Sequence, residues 1–264
     1  MKQKIALITG GTSGIGLATA QALRQKGYRV YECSRRADGS NAAIHLQADV
    51  TKQEQVDHAV AQILAQEGQI DVVINNAGFG ISGAMEFTPV SEAERQFDVM
   101  LFGMMRVNHA VLPAMRQAGH GRIVNISSVA AVAPIPFQAC YSAAKAAINA
   151  YTMALANEVR PFGIRVCCVQ PGDIATGFTA AREKNQLGDE VYHGRISRSV
   201  AKMEHDEQTG MSAQTAGQYI AHVATRKRVK PISTIGFSYR CACLLIRLLP
   251  ASASNWLVGR LYGR

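Results

Sequence analysis

The sequence predicts an α/β fold built on one doubly wound parallel sheet, and three observations carry that prediction. Short apolar runs recur at residues 4–9, 29–33, 44–47, 71–74, 121–126 and 164–169, most of them stopping at small or amide residues, as strands buried on both faces do. Helical spacing fills most of the stretches between them. The two kinds of segment alternate, which is the pattern of parallel strands joined by crossover helices.

Composition agrees. A chain of 264 residues, 48% hydrophobic and 18% charged, can bury a large core, and these proportions argue against disorder or a repeat array. We expect one domain over residues 1–237 and a basic tail over 238–264. The apolar run at residues 5–8 meets glycines too soon for a signal-peptide core, and no stretch approaches the roughly 18 apolar residues of a spanning helix. The six cysteines show neither metal-ligand spacing nor a disulfide framework, which points to free thiols, a cytoplasmic location and no metal.

In chain order, the first strand runs into Thr9-Gly10-Gly11-Thr12-Ser13-Gly14-Ile15-Gly16 and then a helix over 17–26 that Gly27 ends. Strand, glycine turn and helix start together suit a pyrophosphate, because bare glycines let the backbone approach it and the first helical N–H groups point at it. Such a turn also serves simply as a tight turn. The second strand leads to Ser34-Arg35-Arg36, with no acid at Ser34 or Arg35 to take the ribose hydroxyls of NAD. An arginine here accommodates the extra phosphate of NADP, so NADP(H) is favoured over NAD(H); solvated surface arginines are the alternative.

Ala48-Asp49-Val50 follows the third strand and precedes a helix over 53–67; the fourth strand ends in Asn75-Asn76-Ala77-Gly78. A long helix is expected over 90–118, interrupted near Pro113. The fifth strand places Ser127 and Ser128 at the carboxyl edge of the sheet, and a helix over 138–162 follows. Tyr141 and Lys145 stand four apart on one face of it, an ammonium beside a phenol. A nearby cation favours the phenolate, so we expect the phenol pKa to be drawn down.

After the sixth strand come Gln170-Pro171-Gly172 and a charged segment without strong periodicity, read as a mobile lid over 173–210. A helix over 212–225 and a short strand over 231–235 complete the domain. Beyond them, Cys241, Leu244, Leu245 and Leu248 recur at helical spacing, followed by Pro250, Trp256, Leu257 and Leu261. No acid follows Gln208, while Arg226, Lys227, Arg228, Lys230, Arg240, Arg247, Arg260 and Arg264 supply almost all of the net charge of +9. A basic amphipathic tail of this kind packs on its own domain, on a partner subunit or on an anionic membrane surface.

The ordered set Thr9-Gly10-x-x-x-Gly14-x-Gly16, Asp49-Val50, Asn75-Asn76-Ala77-Gly78, Ser128, Tyr141-x-x-x-Lys145 and Pro171-Gly172 with Thr176 resembles the short-chain dehydrogenase/reductase family in its compact Rossmann-fold subtype. The resemblance implies that Gly10, Thr12, Ser13, Gly14, Ile15 and Gly16 shape the dinucleotide turn. It puts Asp49 and Val50 at the adenine, and Asn76, Ala77 and Gly78 on the nicotinamide-ribose side. Lys145 would also hold that ribose, and Pro171, Gly172 and Thr176 would lie along the nicotinamide. Ser128 would hold the substrate oxygen, and Tyr141 would give or take its proton as hydride moves.

One position departs: where the family usually carries a relay Asn in the long helix, this chain has Met100, a weak acceptor at best. Asn108 lies too far along that helix to replace it. Phe79, Ile81, Val132, Ile135, Phe137 and Phe178 lie on the loops beyond the strand ends, so an apolar ketone, aldehyde or secondary alcohol is expected; the long basic-apolar end resembles that of family members acting on steroids, retinoids or other lipophilic carbonyls. The family is usually a homodimer or homotetramer. A cofactor-binding regulatory or scaffold protein that works through its basic tail is the second reading.

Overall fold

The computed structural model describes residues 2–263, so Met1 and Arg264 lie outside the described residues. The elements, in order, are β1 Lys4–Thr9, α1 Gly14–Gln25, β2 Tyr28–Ser34, β3 Ile44–Gln47, α2 Gln53–Glu67, β4 Val72–Asn75, β5 Ile81–Ser82, α3 Val90–Phe97, α4 Gly103–Ala118, β6 Gly121–Ile126, α5 Ala139–Glu158, β7 Ile164–Gln170, β8 Ile174–Ala175, β9 Glu183–Lys184, α6 Arg195–Gln208, β10 Met211–Ser212, α7 Ala213–Thr225, β11 Ile232–Thr234, α8 Phe237–Leu248 and α9 Ala251–Tyr262.

Seven strands form one parallel sheet in the order β11-β7-β6-β4-β1-β2-β3. The chain leaves β1 on one side for β2 and β3 and later returns on the other for β4, so the switch point lies between β1 and β4, where such sheets bind ligands. Alternation along the strands sorts the core into two layers. Ile5, Leu7, Val73, Ile123 and Val166 face α2, α4 and α5. Ala6, Ile8, Val72, Ile74, Val124 and Cys167 face α1 and α7. Those two helices pack so closely that a Cβ on Gly217 would stand 2.7 Å from the Ala18 Cβ.

The long helix differs from its sequence prediction. It is broken not at Pro113, which sits inside α4, but by a π-helical turn at Asp98–Phe102 that joins α3 to α4. That turn carries Met100. The helix expected over 138–162 stops at Glu158 and finishes as a 3-10 turn at Arg160–Phe162, where Pro161 supplies no N–H. The segment 173–210, expected to lack periodicity, includes α6, whose apolar Ile196, Val200 and Met203 are buried. Asp189 begins that helix by accepting from the N–H groups of Ile196 and Ser197.

A buried amide ladder ties the centre together. Asn75 at the end of β4 donates to the side-chain oxygens of Asn108 (2.8 Å) and Asn125 (2.9 Å), and Asn125 donates to Thr152 (2.8 Å). This links β4, β6, α4 and α5, and it explains why Asn108 is unavailable as a relay group. Replacing Asn75 with Ala strips a donor from two buried acceptors. It should lower unfolding free energy by about 2–4 kcal/mol, read as a urea midpoint shift at unchanged slope; a loss below about 0.5 kcal/mol would show that the ladder is not structural.

Candidate active site

The glycine turn is held from below by a reciprocal clasp between β1 and β4. The Thr9 hydroxyl accepts from the N–H groups of Asn76 and Ala77, each at 3.0 Å, while the Asn76 amide donates to the Thr9 and Gly10 carbonyls, each at 3.1 Å. A Cβ on Gly16 would stand 2.2 Å from the Gly10 carbonyl oxygen and 2.6 Å from the Asn76 amide nitrogen, so only glycine fits. Gly10 and Gly14 have φ values of +67° and +54°, the left-handed region where a side chain is strained.

The chain beyond β1 then enters α1, whose N-cap Ser13 makes no side-chain bond and whose first turn carries no acid. Its leading N–H groups are therefore placed for an anion. This cradle fits a dinucleotide: the bare glycines, the uncapped helix start and the switch point coincide. Thr176 closes over it, its Cβ 3.6 Å from where a Cβ on Gly14 would be.

Glu32 is turned away from any ribose. It is fully buried under Gly11, where a Cβ would be 2.7 Å from the Glu32 Cβ, and it pairs with His45 opposite it on β3. Arg35 and Arg36, just past β2, are exposed, and neither guanidinium forms an ion pair or hydrogen bond among the described residues. Asp49 receives the Thr51 N–H at 2.9 Å, shaping the turn into α2, with Val50 buried beside Gly103.

On the other side of the switch point, β6 and α5 hold each other through a second reciprocal pair. Ser127 donates to the Lys145 carbonyl (3.0 Å), and the Lys145 ammonium donates to the Ile126 carbonyl (2.8 Å) and lies 5.5 Å from the centroid of the Tyr141 ring. Ser128 starts a short 3-10 turn, its hydroxyl accepting from Ala130 N–H at 3.1 Å, and stands beside the Tyr141 hydroxyl. Ser128, Tyr141 and Lys145 therefore converge.

The phenol differs from the expectation based on its neighbouring lysine. Burial pushes Tyr141 up to about 12, and the Ser128 hydroxyl offsets part of this, as does the more distant Arg182; Glu207 and Asp173 add to the rise. Burial also brings Lys145 down to about 8. Desolvation sets the direction of the shift in both groups.

Phe178 on that segment packs its ring 6.1 Å from Tyr141. Phe79 instead lies under Arg95, 4.8 Å from its guanidinium. Ile135 and Phe137 join the apolar cluster of Ala84, Ile196, Val200 and Met203, and Ile81 is buried in β5 beside β9. Gly78 touches Met100, whose Cγ is 3.3 Å from where a Cβ there would stand, so a buried thioether occupies the place beside the strand end.

Tyr239 on α8 covers Gly172 and donates to Asp173 at 2.6 Å. Tyr262 on α9 donates to Asp206 at 3.1 Å. These two tyrosines, and Arg182 with Glu207, were not singled out in the sequence; a tyrosine in a basic apolar tail carries no motif.

The family model described as short chain dehydrogenase matches residues 4–187. The chain belongs to the short-chain dehydrogenase/reductase family. It is an oxidoreductase with the nicotinamide-dinucleotide fold of that family. Over 260 residues it is 40% identical to the 3-ketodihydrosphingosine reductase of Bacteroides thetaiotaomicron, with 97% of this chain and 94% of the relative aligned. It is 32% identical over 254 residues to a probable short-chain type dehydrogenase/reductase of Helicobacter pylori, covering 94% of each. Among solved structures, a short-chain dehydrogenase from Streptomyces avermitilis superposes with a TM-score of 0.83 at 30% identity, over 95% of this chain and 94% of that one.

The shifted lysine has a consequence for stability. Unfolded, Lys145 keeps its proton to about 10.5; folded, it loses it near 8, so the unfolded chain binds more protons between those values. Stability relative to a Lys145→Met variant should therefore rise as pH increases from 8 to 10.5. Paired thermal melts across that window test it, and a constant difference between the two proteins would refute the shift.

Proposed function

We propose that this protein is an NADP(H)-dependent carbonyl reductase acting on apolar ketones or aldehydes, or running in reverse on the corresponding secondary alcohols. The observation that carries the reading is the convergence of Ser128, Tyr141 and Lys145 at the carboxyl edge, beside a glycine cradle and under the ring of Phe178.

Gly10, Thr12, Ser13, Gly14, Ile15 and Gly16 would hold the pyrophosphate, Asp49 and Val50 the adenine side, and Arg35 the additional phosphate. Asn76, Ala77, Gly78, Lys145, Pro171, Gly172 and Thr176 would line the nicotinamide side. A bound nicotinamide supplies or accepts hydride. The Ser128 hydroxyl donates a hydrogen bond to the carbonyl oxygen and fixes it. The Tyr141 phenol, protonated at neutral pH because burial raises it, gives that oxygen its proton as the carbon gains hydride, leaving a phenolate. The Lys145 ammonium stabilises the phenolate. With Met100 where the family's relay Asn stands, the proton is returned from Lys145 by a route that the long helix does not supply.

Phe178 supports an apolar substrate, with Ile135, Phe137 and Phe79 on the surrounding loops. The relative named 3-ketodihydrosphingosine reductase supports a ketone on a long chain, of the same lipophilic class as steroid and retinoid carbonyls. We read residues 173–210 as the lid, 1–237 as the domain and 238–264 as a tail packed on that domain through Tyr239 and Tyr262, whose exposed Leu244, Leu245, Leu248 and Trp256 suit a partner subunit or an anionic membrane surface in the cytoplasm. No helix among the described residues is long and apolar enough to cross a membrane. Exposed Phe102, Met105 and Met153 on the long-helix face suit a homodimer or homotetramer.

Tyr141→Phe should cost roughly 10² to 10⁴ in kcat with NADPH and a long-chain ketone, the range for a lost general acid, while NADPH still binds. Equal activity would refute the proton role; the absence of ketone turnover in the wild type alongside NADPH binding would favour a cofactor-binding regulatory protein instead. For the cofactor, the ratio of NADPH to NADH affinity should fall at least about 10-fold in Arg35→Asp, since the variant replaces a cation that meets the phosphate with a like charge. Fluorescence titration reads that ratio, and an unchanged value would show that Arg35 is not the selector.

A further inference from the structure

Arg182 is a deeply buried cation near the candidate site. Its side chain is 1% exposed, and one arm, Nη2, pairs with Glu207, whose other oxygen accepts from the Thr179 hydroxyl at 2.6 Å. Its Nε and Nη1 groups are buried and have no hydrogen-bond partner. A guanidinium carries five donors in a rigid fork, and leaving two of its nitrogens dry and unpaired is costly unless something else occupies them.

The surroundings say what that could be. The Arg182 Cζ is 5.8 Å from the centre of the Phe178 ring, and the other neighbour of that ring is Tyr141 at 6.1 Å, so the fork stands one side chain away from the phenol. Gly80 lies against the ring and the fork: a Cβ there would be 3.2 Å from the Phe178 ring and 3.4 Å from Arg182 Nε, so any side chain at this position would press on the fork. Charge narrows the ligand further. Glu207 pairs with Arg182 and Lys202 with Asp206, which leaves the Lys145 ammonium and Asp173, the latter held by Tyr239. The free donors therefore call for an acceptor oxygen, in a site with no surplus positive charge to draw an anion.

Building on the reductase reading, we propose that the free Nε and Nη1 of Arg182 bind a second oxygen of the substrate, so that the preferred substrates are ketones carrying an uncharged acceptor, such as a hydroxyl, a few bonds from the carbonyl. A plain ketone leaves the fork unpaired. A keto acid brings a carboxylate towards Glu207 and Asp173.

Three chain-matched probes test this: a long-chain methyl ketone, its β-hydroxy derivative and the corresponding β-keto acid. Kd is measured by calorimetry on the NADP-loaded protein and KM by NADPH oxidation. The β-hydroxy ketone should bind about 10- to 100-fold more tightly than the plain ketone, the range for a hydrogen bond to a charged group, and the keto acid no better than the plain ketone. In Arg182→Lys, which keeps the charge but loses the fork, the ratio between the two ketones should collapse towards one.

Equal affinity for the two ketones in the wild type overturns the proposal, even if the variant does not fold. So does a variant in which both affinities fall together with the ratio intact, the result of a purely structural Arg182–Glu207 pair, and so does tightest binding of the keto acid. Discrimination in Kd without turnover of any ketone would instead sink the reductase reading and leave the Arg182 site standing.

Discussion

The clasp between Thr9 and Asn76 is the constraint on which the rest of this molecule depends. It fixes the ends of β1 and β4, the two strands either side of the switch point, by giving each strand's last polar groups a partner on the other. With those ends fixed, Gly10 must turn in the left-handed region and Gly16 must pass within contact of the Gly10 carbonyl. The start of α1 is thereby aimed across the carboxyl edge. An anion site built from backbone N–H groups needs this rigidity, because it has no side chain that could adjust to a misplaced helix.

The opposite wall obeys the same logic with different atoms. Ser127 and Lys145 exchange hydrogen bonds with each other's elements, so the strand that ends at Ser128 and the helix that carries Tyr141 cannot move apart without exposing a buried ammonium. Fixing Lys145 in this way has an electrostatic effect. A buried ammonium with one carbonyl partner loses more solvation than it regains, and its pKa falls to about 8, while the adjacent phenol rises to about 12. The pair thus stores a charge preference that anything covering or uncovering it will change.

Much of this was legible in the sequence wherever position along the chain encodes position in space. Strand ends with Gly, Asn and Ser mark the carboxyl edge, and the four-residue spacing of Tyr141 and Lys145 marks one helix face. The misreadings have a common cause. Pro113 was expected to break the long helix, but its ring is tolerated inside α4, while the real irregularity, a π turn, rests on which carbonyls are shared and has no residue signature. The phenol was expected to fall in pKa because a cation was nearby, but the depth of burial, a property of the whole fold, decided the sign. The amide ladder through Asn75, Asn108, Asn125 and Thr152 spans 78 positions of sequence and no local pattern reveals it.

The segment 173–210 shows the same limit most sharply. Read along the chain, residues 173–210 are charged and aperiodic, the pattern of a solvated loop. In the fold they are pinned at both ends and in the middle: β8 pairs with β10, β9 pairs with β5 through Ile81 and Glu183, and Arg95 bridges to Glu183 from α3. Tyr239 and Tyr262 then hold two of its acids from the tail. Charges that looked solvated are mostly paired, and the tail, for which its own domain, a partner subunit and a membrane surface were all open, meets the chain just beyond Pro171-Gly172. The segment beside Tyr141 and the tail helices are therefore packed as one unit, held by polar contacts that neither stretch of sequence displays on its own.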